Sequence, residues 1–544
     1  MEKKYFADLH CHPHSRAFHW MRHTRHERKK KKYNPWTVAL SNFKKQKAGK
    51  RAFSYSQCDP VKLWNSNTRL VFASLYPFEK GFYTGSDNID KTKLADLLGK
   101  AAGVGLTLLM PWKLVFAAIK KAVHGFSGGE NSLRDYFQAT LMRMPLKRIN
   151  YFVSPEYDYY EELIRERDFL TSKSGVTSRN EIINAGFFKF LKSKKKQRRK
   201  HPESLEATGQ YVVCKNFGEV KQTIDDENIA FVMTIEGMHS LGYDPKKMDR
   251  SQLIDRINAL KNWEYPVFFV TFAHHFQNYL CGHAHSLIKS TSWFMTQQAD
   301  LNAGFVNDGE VAVRHLLSLD QQLNHDPSLG RRIHIDLKHT AAKSRKWFYR
   351  EIIDKLPAGV EPIPVIMSHC GYADQPDLDS LIANQDNEND DDLSPNGFYP
   401  WNINACDEDI QYAAKTGGLI GLTLDQRILG GGTKHKTGKD ADLAWRNLKA
   451  MVDVIKAMPS HKDRMWQTVT IGTDFEGYVD PVNRYADALD FKLLRQDLID
   501  NIKTDIWNKS LGADYLLNSE ADIEQVVDDF CFGNAWRFLE RNFT

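Results

Sequence analysis

Short apolar runs recur along the chain, each ending at a polar or charged residue. They begin near the N-terminus with Tyr5-Phe6-Ala7-Asp8-Leu9 and continue with RLVFASL at 69–75, IAFVMTI at 229–235 and PVFFVTF at 266–272. RIHI at 332–335, PVIM at 364–367, LIGLTL at 419–424 and TVTI at 468–471 complete the series. These runs are apolar without alternation, so they predict strands buried on both faces. Between them lie helix-like segments at 251–263, 344–356, 407–415 and 442–458, the third stopped by Gly417-Gly418. Strand and helix alternating in this way predict a parallel sheet, and eight repeats predict closure into a (β/α)8 TIM barrel. The spacing fails in two places, after the first and second strands, where the connections far exceed an ordinary loop. Residues 13–60 and 86–205 are therefore read as large insertions on the ligand-bearing face, candidate lids within a single domain spanning 1–544.

Length agrees with that reading, because 544 residues exceed a plain barrel of about 250 and match one enlarged by insertions. With 42% hydrophobic and 26% charged residues the chain can bury a large core, which excludes a disordered chain. Seven cysteines with no C-x-x-C exclude a disulfide framework, and the start MEKKYFADLH lacks a signal-peptide core, so a cytoplasmic location is expected. The formal charge of +6 is concentrated in Arg22–Lys32, Lys44–Arg51 and Lys189–Lys200, with Trp20, Tyr33 and Trp36 near the first run. These runs read as solvated insertions able to make weak contact with an anionic surface, without a strong nucleic-acid signal. The segment 101–119, whose only charge is Lys113, approaches the roughly 20 residues of a membrane span. Gly103, Gly105 and Pro111 interrupt it, so buried helical pieces are expected, with peripheral membrane contact as the second reading. The acidic stretch 386–392 reads as a solvated loop.

The chemistry lies where the apolar runs stop. His10 and His12 alternate on one strand face and can grip one metal ion together. Glu236, His339, His369 and Asp474 each follow a later run. A single histidine at a strand end is ordinarily structural, but a series drawn from the C-terminal ends of successive strands is the active-site pattern of a barrel. Imidazole and carboxylate donors in this mixture suit Zn²⁺, with Mn²⁺, Fe²⁺ or Co²⁺ acceptable to the same set. Five ligands exceed what one catalytic zinc uses, so His10, His12, Glu236, His339 and His369 predict two divalent ions bridged by Glu236. In such a site a shared hydroxide is the nucleophile, and Asp474 is left to carry the proton from attacking water to leaving group.

IEGMHS at 235, HIDLKHT at 334, PVIMSHCG at 364, GLIGLTL at 418, IGTDFEG at 471 and FGNAWRFL at 532 resemble, in order, the motifs of the membrane (renal) dipeptidase family of the amidohydrolase superfamily. The resemblance implies a zinc-dependent barrel hydrolase acting on a small-molecule or short-peptide substrate. It places metal ligands at His10, Glu236, His339 and His369 and the catalytic aspartate at Asp474. Substrate binding falls to His274 and Asn278 in VTFAHHFQN, and the carboxylate-clamp position to Ile403. Two departures stand out. His12 replaces the usual aspartate of the first motif, and Ile403 replaces the arginine that holds a dipeptide carboxylate. The second predicts an uncharged substrate end, unless a cation from the basic insertions supplies the clamp. DLHCH also opens polymerase-and-histidinol-phosphatase phosphoesterases, but those end in Asp-x-His, whereas Asp474 precedes Phe475-Glu476. Lactone, ester or phosphoester hydrolysis at the same site is an alternative reading. So is a non-catalytic barrel that binds an anionic partner, which the full ligand set argues against. Oligomeric state is not legible from the sequence.

Overall fold

Each of the eight apolar runs forms a strand of one parallel barrel. The computed structural model describes residues 4–21, 34–40, 56–83, 144, 146–184, 205–287, 297–388, 393–430 and 440–544. The segment 101–119, the basic runs at 22–32, 44–51 and 189–200, and part of the acidic stretch lie outside them. The strands are β1 (Phe6–Cys11), β2 (Thr68–Leu75), β3 (Ile229–Glu236) and β4 (Val267–Thr271). They continue with β5 (His334–Asp336), β6 (Ile366–Cys370), β7 (Leu419–Leu422) and β8 (Val469–Ile471). They pair in parallel in chain order, and all their residues are buried. The ring closes beyond the strand ends, where the Asp474 amide donates to the His10 carbonyl at 2.9 Å and the His12 amide to the Phe475 carbonyl at 3.0 Å. This is the (β/α)8 TIM barrel that the periodicity predicts.

Two buried carboxylates staple the interior. Asp8 accepts from the Thr473 amide (2.9 Å) and hydroxyl (2.6 Å), which ties β1 to the end of β8. Asp336 accepts from the Ser368 amide (2.8 Å) and hydroxyl (2.6 Å) and from the Thr271 hydroxyl (2.6 Å), which joins β4, β5 and β6. Burial raises both carboxyls, and these hydrogen bonds oppose the rise. Close approach of β6, β7 and the end of β8 requires glycine, since a Cβ at Gly421 or Gly472 would lie 1.8 or 2.1 Å from the Ser368 carbonyl oxygen.

The helices follow the predicted alternation with one difference. The segment read as a single helix at 344–356 is a short α-helix, Ala342–Trp347, that opens into a π-helix at Phe348–Ile353. Here a buried ion pair, Arg345 Nε to Asp409 Oδ1 at 3.0 Å, anchors the turn. Arg345 also donates to the carbonyls of Thr340 and Asn402, while Asp409 accepts from the Tyr349 hydroxyl at 2.8 Å.

The two insertions are joined to each other. Thr37–Leu40 from the first pairs in parallel with Glu181–Asn184 from the second. Beneath them His14 Nε2 meets Glu166 Oε1 at 2.8 Å, with both side chains buried. The first insertion is also tied to the segment after β8, because Arg16 pairs with Glu476 and the Ser56 hydroxyl donates to it at 2.8 Å. All seven cysteines are free and buried. Among the described residues no helix is long and apolar enough to cross a membrane.

Candidate metal and active centre

The ligand-bearing ends of β1, β3 and β6 converge on Glu236. Its Oε1 lies 3.3 Å from His10 Nε2, 3.5 Å from His339 Nε2, 3.6 Å from His369 Nε2 and 3.4 Å from His274 Nε2. Its Oε2 lies 3.1 Å from His12 Nε2. Two donors bound to one tetrahedral ion at about 2.0–2.1 Å stand about 3.4 Å apart. The observed spacings are of that order. Asp474 stands slightly further out, 3.9 Å from His10, 3.8 Å from His12 and 3.9 Å from His369.

Hydrogen bonding on the far side of the rings sets their tautomers. His12 Nδ1 meets the Ser74 carbonyl at 2.9 Å, so Nδ1 carries a proton, and in the neutral ring the lone pair is on Nε2. Ser368 donates its hydroxyl proton to Asp336 and so accepts from His369 Nδ1 at 2.8 Å, which in the neutral ring leaves the lone pair on Nε2, 3.0 Å from His339 Nε2. On the near side, His10 Nε2, His12 Nε2, Glu236 Oε1 and Asp474 Oδ1 are buried without a hydrogen-bond partner. Buried polar atoms are seldom left so. Divalent ions would satisfy all of them, and the donor set fits that group. Among the described residues two convergent sets of donors form: His10, Glu236, His369 and Asp474 in one, and His274, His275 and His339 in the other. His12 adjoins the first through Glu236 Oε2.

The electrostatics separate the two acids. Burial would raise Glu236, but His274 and His10 beside it hold it well below the usual carboxylate range. Burial and the neighbouring Glu236 charge push Asp474 well above that range. Against the pull of burial, Glu236 lifts His12 to about 9, and Glu236 with Glu79 lifts His274 to about 10. Burial and the neighbouring His274 lower His339 to about 3. His339 and Asp474 also hold left-handed backbone, at φ 63° and 59°. Such backbone in a non-glycine residue is strained by about 1–3 kcal/mol and collects at working sites.

Beside the centre opens a cavity of about 200 Å³. Its walls include Tyr76, Phe82, Tyr399, Trp401, Ile403 and Tyr478, and His274, His275, Lys338, Arg427 and Asp474 also line it. His274 is oriented by Glu79, a carboxylate just past β2 that also accepts from the Phe276 amide at 3.1 Å. Burial opposes ionisation of Glu79, but His274 and His239 hold it at about 2. Ile403 lies in the wall. Asn278 is not a lining residue; its side chain donates to the Phe272 carbonyl at 2.7 Å and accepts from the Leu280 amide at 2.9 Å, shaping the loop after β4.

The sequence motifs omit Glu79, His275 and Lys338 as site residues. Position offers some signal, since Glu79 follows RLVFASL closely, His275 adjoins His274 and Lys338 adjoins His339. Their partners, however, exist only in the folded chain.

No family model matches the sequence, and no curated protein does. Among solved structures the chain is similar to dipeptidase AC, a metallopeptidase of family M19, at 12% identity with a TM-score of 0.46, covering 100% of this chain and 99% of that one. It is similar to a metallopeptidase from Rhodobacter sphaeroides liganded with a phosphinate mimic of the dipeptide L-Ala-D-Ala, at 12% identity with a TM-score of 0.47, covering 100% of both chains. A third is the probable dipeptidase PvdM from Pseudomonas aeruginosa, at 13% identity with a TM-score of 0.40, covering 93% of this chain and 94% of that one.

Proposed function

We propose that this protein is a metal-dependent hydrolase of the membrane dipeptidase-like type that cleaves an amide bond in a small, peptide-like substrate. In this reading His10, His12, Glu236, His339 and His369 hold two divalent ions, zinc foremost. The observation that carries the reading is the set of orphaned, buried donor atoms around Glu236 at the mouth end of the barrel, beside a cavity. When bound, the ions would activate a water molecule and polarise the scissile carbonyl.

The protein's own groups do the rest. Asp474, displaced outward from the Glu236 cluster, takes the water's proton and returns it to the departing amine. His274, fixed by Glu79, positions the substrate beside Glu236. Tyr76, Phe82 and Trp401 keep bulk water from the reacting atoms. Arg16 and Ser56 of the first insertion are fastened to Glu476, two residues beyond the shuttle.

Elemental analysis of protein purified without chelator is expected to show close to two metal ions per chain, since one ion cannot use all five ligands and keep a place for water. Glu236→Gln is expected to lower that ratio. A ratio that stays at zero after metal reconstitution, or no turnover of peptides and N-acyl amino acids by the loaded protein, removes the hydrolase reading.

A further inference from the structure

We propose that Lys338 is an anion-recognising residue of the cavity and that the substrate presents a free carboxylate to it; the substrate part of this proposal rests on the hydrolase reading. Lys338 follows β5 directly and precedes His339. It is only 2% exposed, and it lines the cavity together with Ile403 and Asp474. An ammonium has three donors and no acceptor. Lys338 uses one, to the Ile403 carbonyl at 3.2 Å, and among the described residues no carboxylate forms an ion pair with it.

The same protein shows how a buried lysine is otherwise satisfied. Lys261 places its ammonium on the His315 carbonyl (2.5 Å), the Ser318 hydroxyl (2.8 Å) and the Leu329 carbonyl (2.7 Å), filling all three directions. Lys62, also buried, is paired with Asp487. Lys338 has neither arrangement. A buried cation with incomplete solvation is costly unless a partner arrives, and the open side here is the cavity.

The other cation in the cavity wall does not compete. Arg427 is closed onto Asp425 by a forked pair, with Nε 2.9 Å from Oδ1 and Nη2 also on the carboxylate. Lys338 thus offers the cavity a single ammonium, the partner that a substrate carboxylate needs. In a cavity of about 200 Å³ that carboxylate belongs to a short substrate. The clamp lost at Ile403 as a side chain is thus supplied from the neighbouring strand end, with the Ile403 carbonyl holding the lysine in place. This replaces the sequence expectation of an uncharged substrate end.

The test compares L-alanyl-L-alanine with its C-terminal amide, using the full-length, zinc-loaded protein. Wild type is expected to prefer the free acid in kcat/KM by about tenfold or more, and Lys338→Met to lower the acid value by about 30-fold while changing the amide value less than about threefold. Lys338→Arg should restore part of the preference. A wild type that treats acid and amide alike overturns the proposal without any variant, as does a Lys338→Met protein of normal metal content that loses both substrates equally. Calorimetric titration with L-alanine and L-alaninamide separates this proposal from the hydrolase reading. If nothing is turned over but L-alanine binds and Lys338→Met abolishes that binding, the anion site stands and the hydrolase reading falls. If L-alanine binds no better than L-alaninamide, the anion site falls.

Discussion

Asp474→Asn is expected to leave the fold and most of the bound metal in place while lowering kcat by about 10²-fold or more. The carboxyl stands 3.8–3.9 Å from the nearest imidazole nitrogens, whereas Glu236 lies 3.1–3.6 Å from its five. Glu236 is therefore the centre of the donor set, and Asp474 stands at its edge. An asparagine keeps the shape and a hydrogen-bonding oxygen but cannot accept a proton. The native carboxylate can take the water's proton and hold it until the amine leaves. The check is kcat measured beside metal content on the same preparation. Unchanged turnover would refute the shuttle, and complete loss of metal would make Asp474 chiefly a ligand.

Arg345→Met is expected to destabilise the protein by about 3–5 kcal/mol, because it strands the Asp409 carboxylate in the interior without its cation. Both side chains are fully buried. The guanidinium also gathers the Thr340 and Asn402 carbonyls, which links the segment after β5 to the stretch that carries Ile403. Denaturant unfolding would measure the loss, and adding Asp409→Leu should recover part of it by removing the stranded charge. A loss below about 1 kcal/mol for the single substitution would show that the pair contributes little.

The strands were legible because burial on both faces writes each one as an unbroken apolar run, and the convergent polar residues because each stands where such a run stops. The π-helix at Phe348–Ile353 was not legible; it forms where Tyr349 reaches Asp409 on a distant helix, and a helical periodicity does not record that contact. The pairing of Thr37–Leu40 with Glu181–Asn184 was hidden too, since two short strands in separate insertions carry no shared mark. In the site, His10, His12, Glu236, His339, His369 and Asp474 were named from their positions, and they lie around one point in the fold. Glu79, His275 and Lys338 escaped notice because folding, rather than a strand end, brings them to the cavity. Lys338 is the sharpest case. The sequence directed attention to cations in the basic insertions, while Lys338 lies in the cavity wall next to His339.

Barrel closure between β1 and the segment after β8 also governs when the centre can exist during synthesis. His10 and His12 leave the ribosome early, and β2 pairs with one edge of their strand, but its other edge is closed by hydrogen bonds with Thr473, Asp474 and Phe475. Until those residues emerge, β1 and β7 are open edges offering unpaired backbone to neighbouring chains. The donors for the metal site are likewise incomplete. A nascent chain truncated before Thr473 is thus both unable to assemble the centre and exposed to misassembly, so chaperone protection matters most during translation of the final quarter of the barrel.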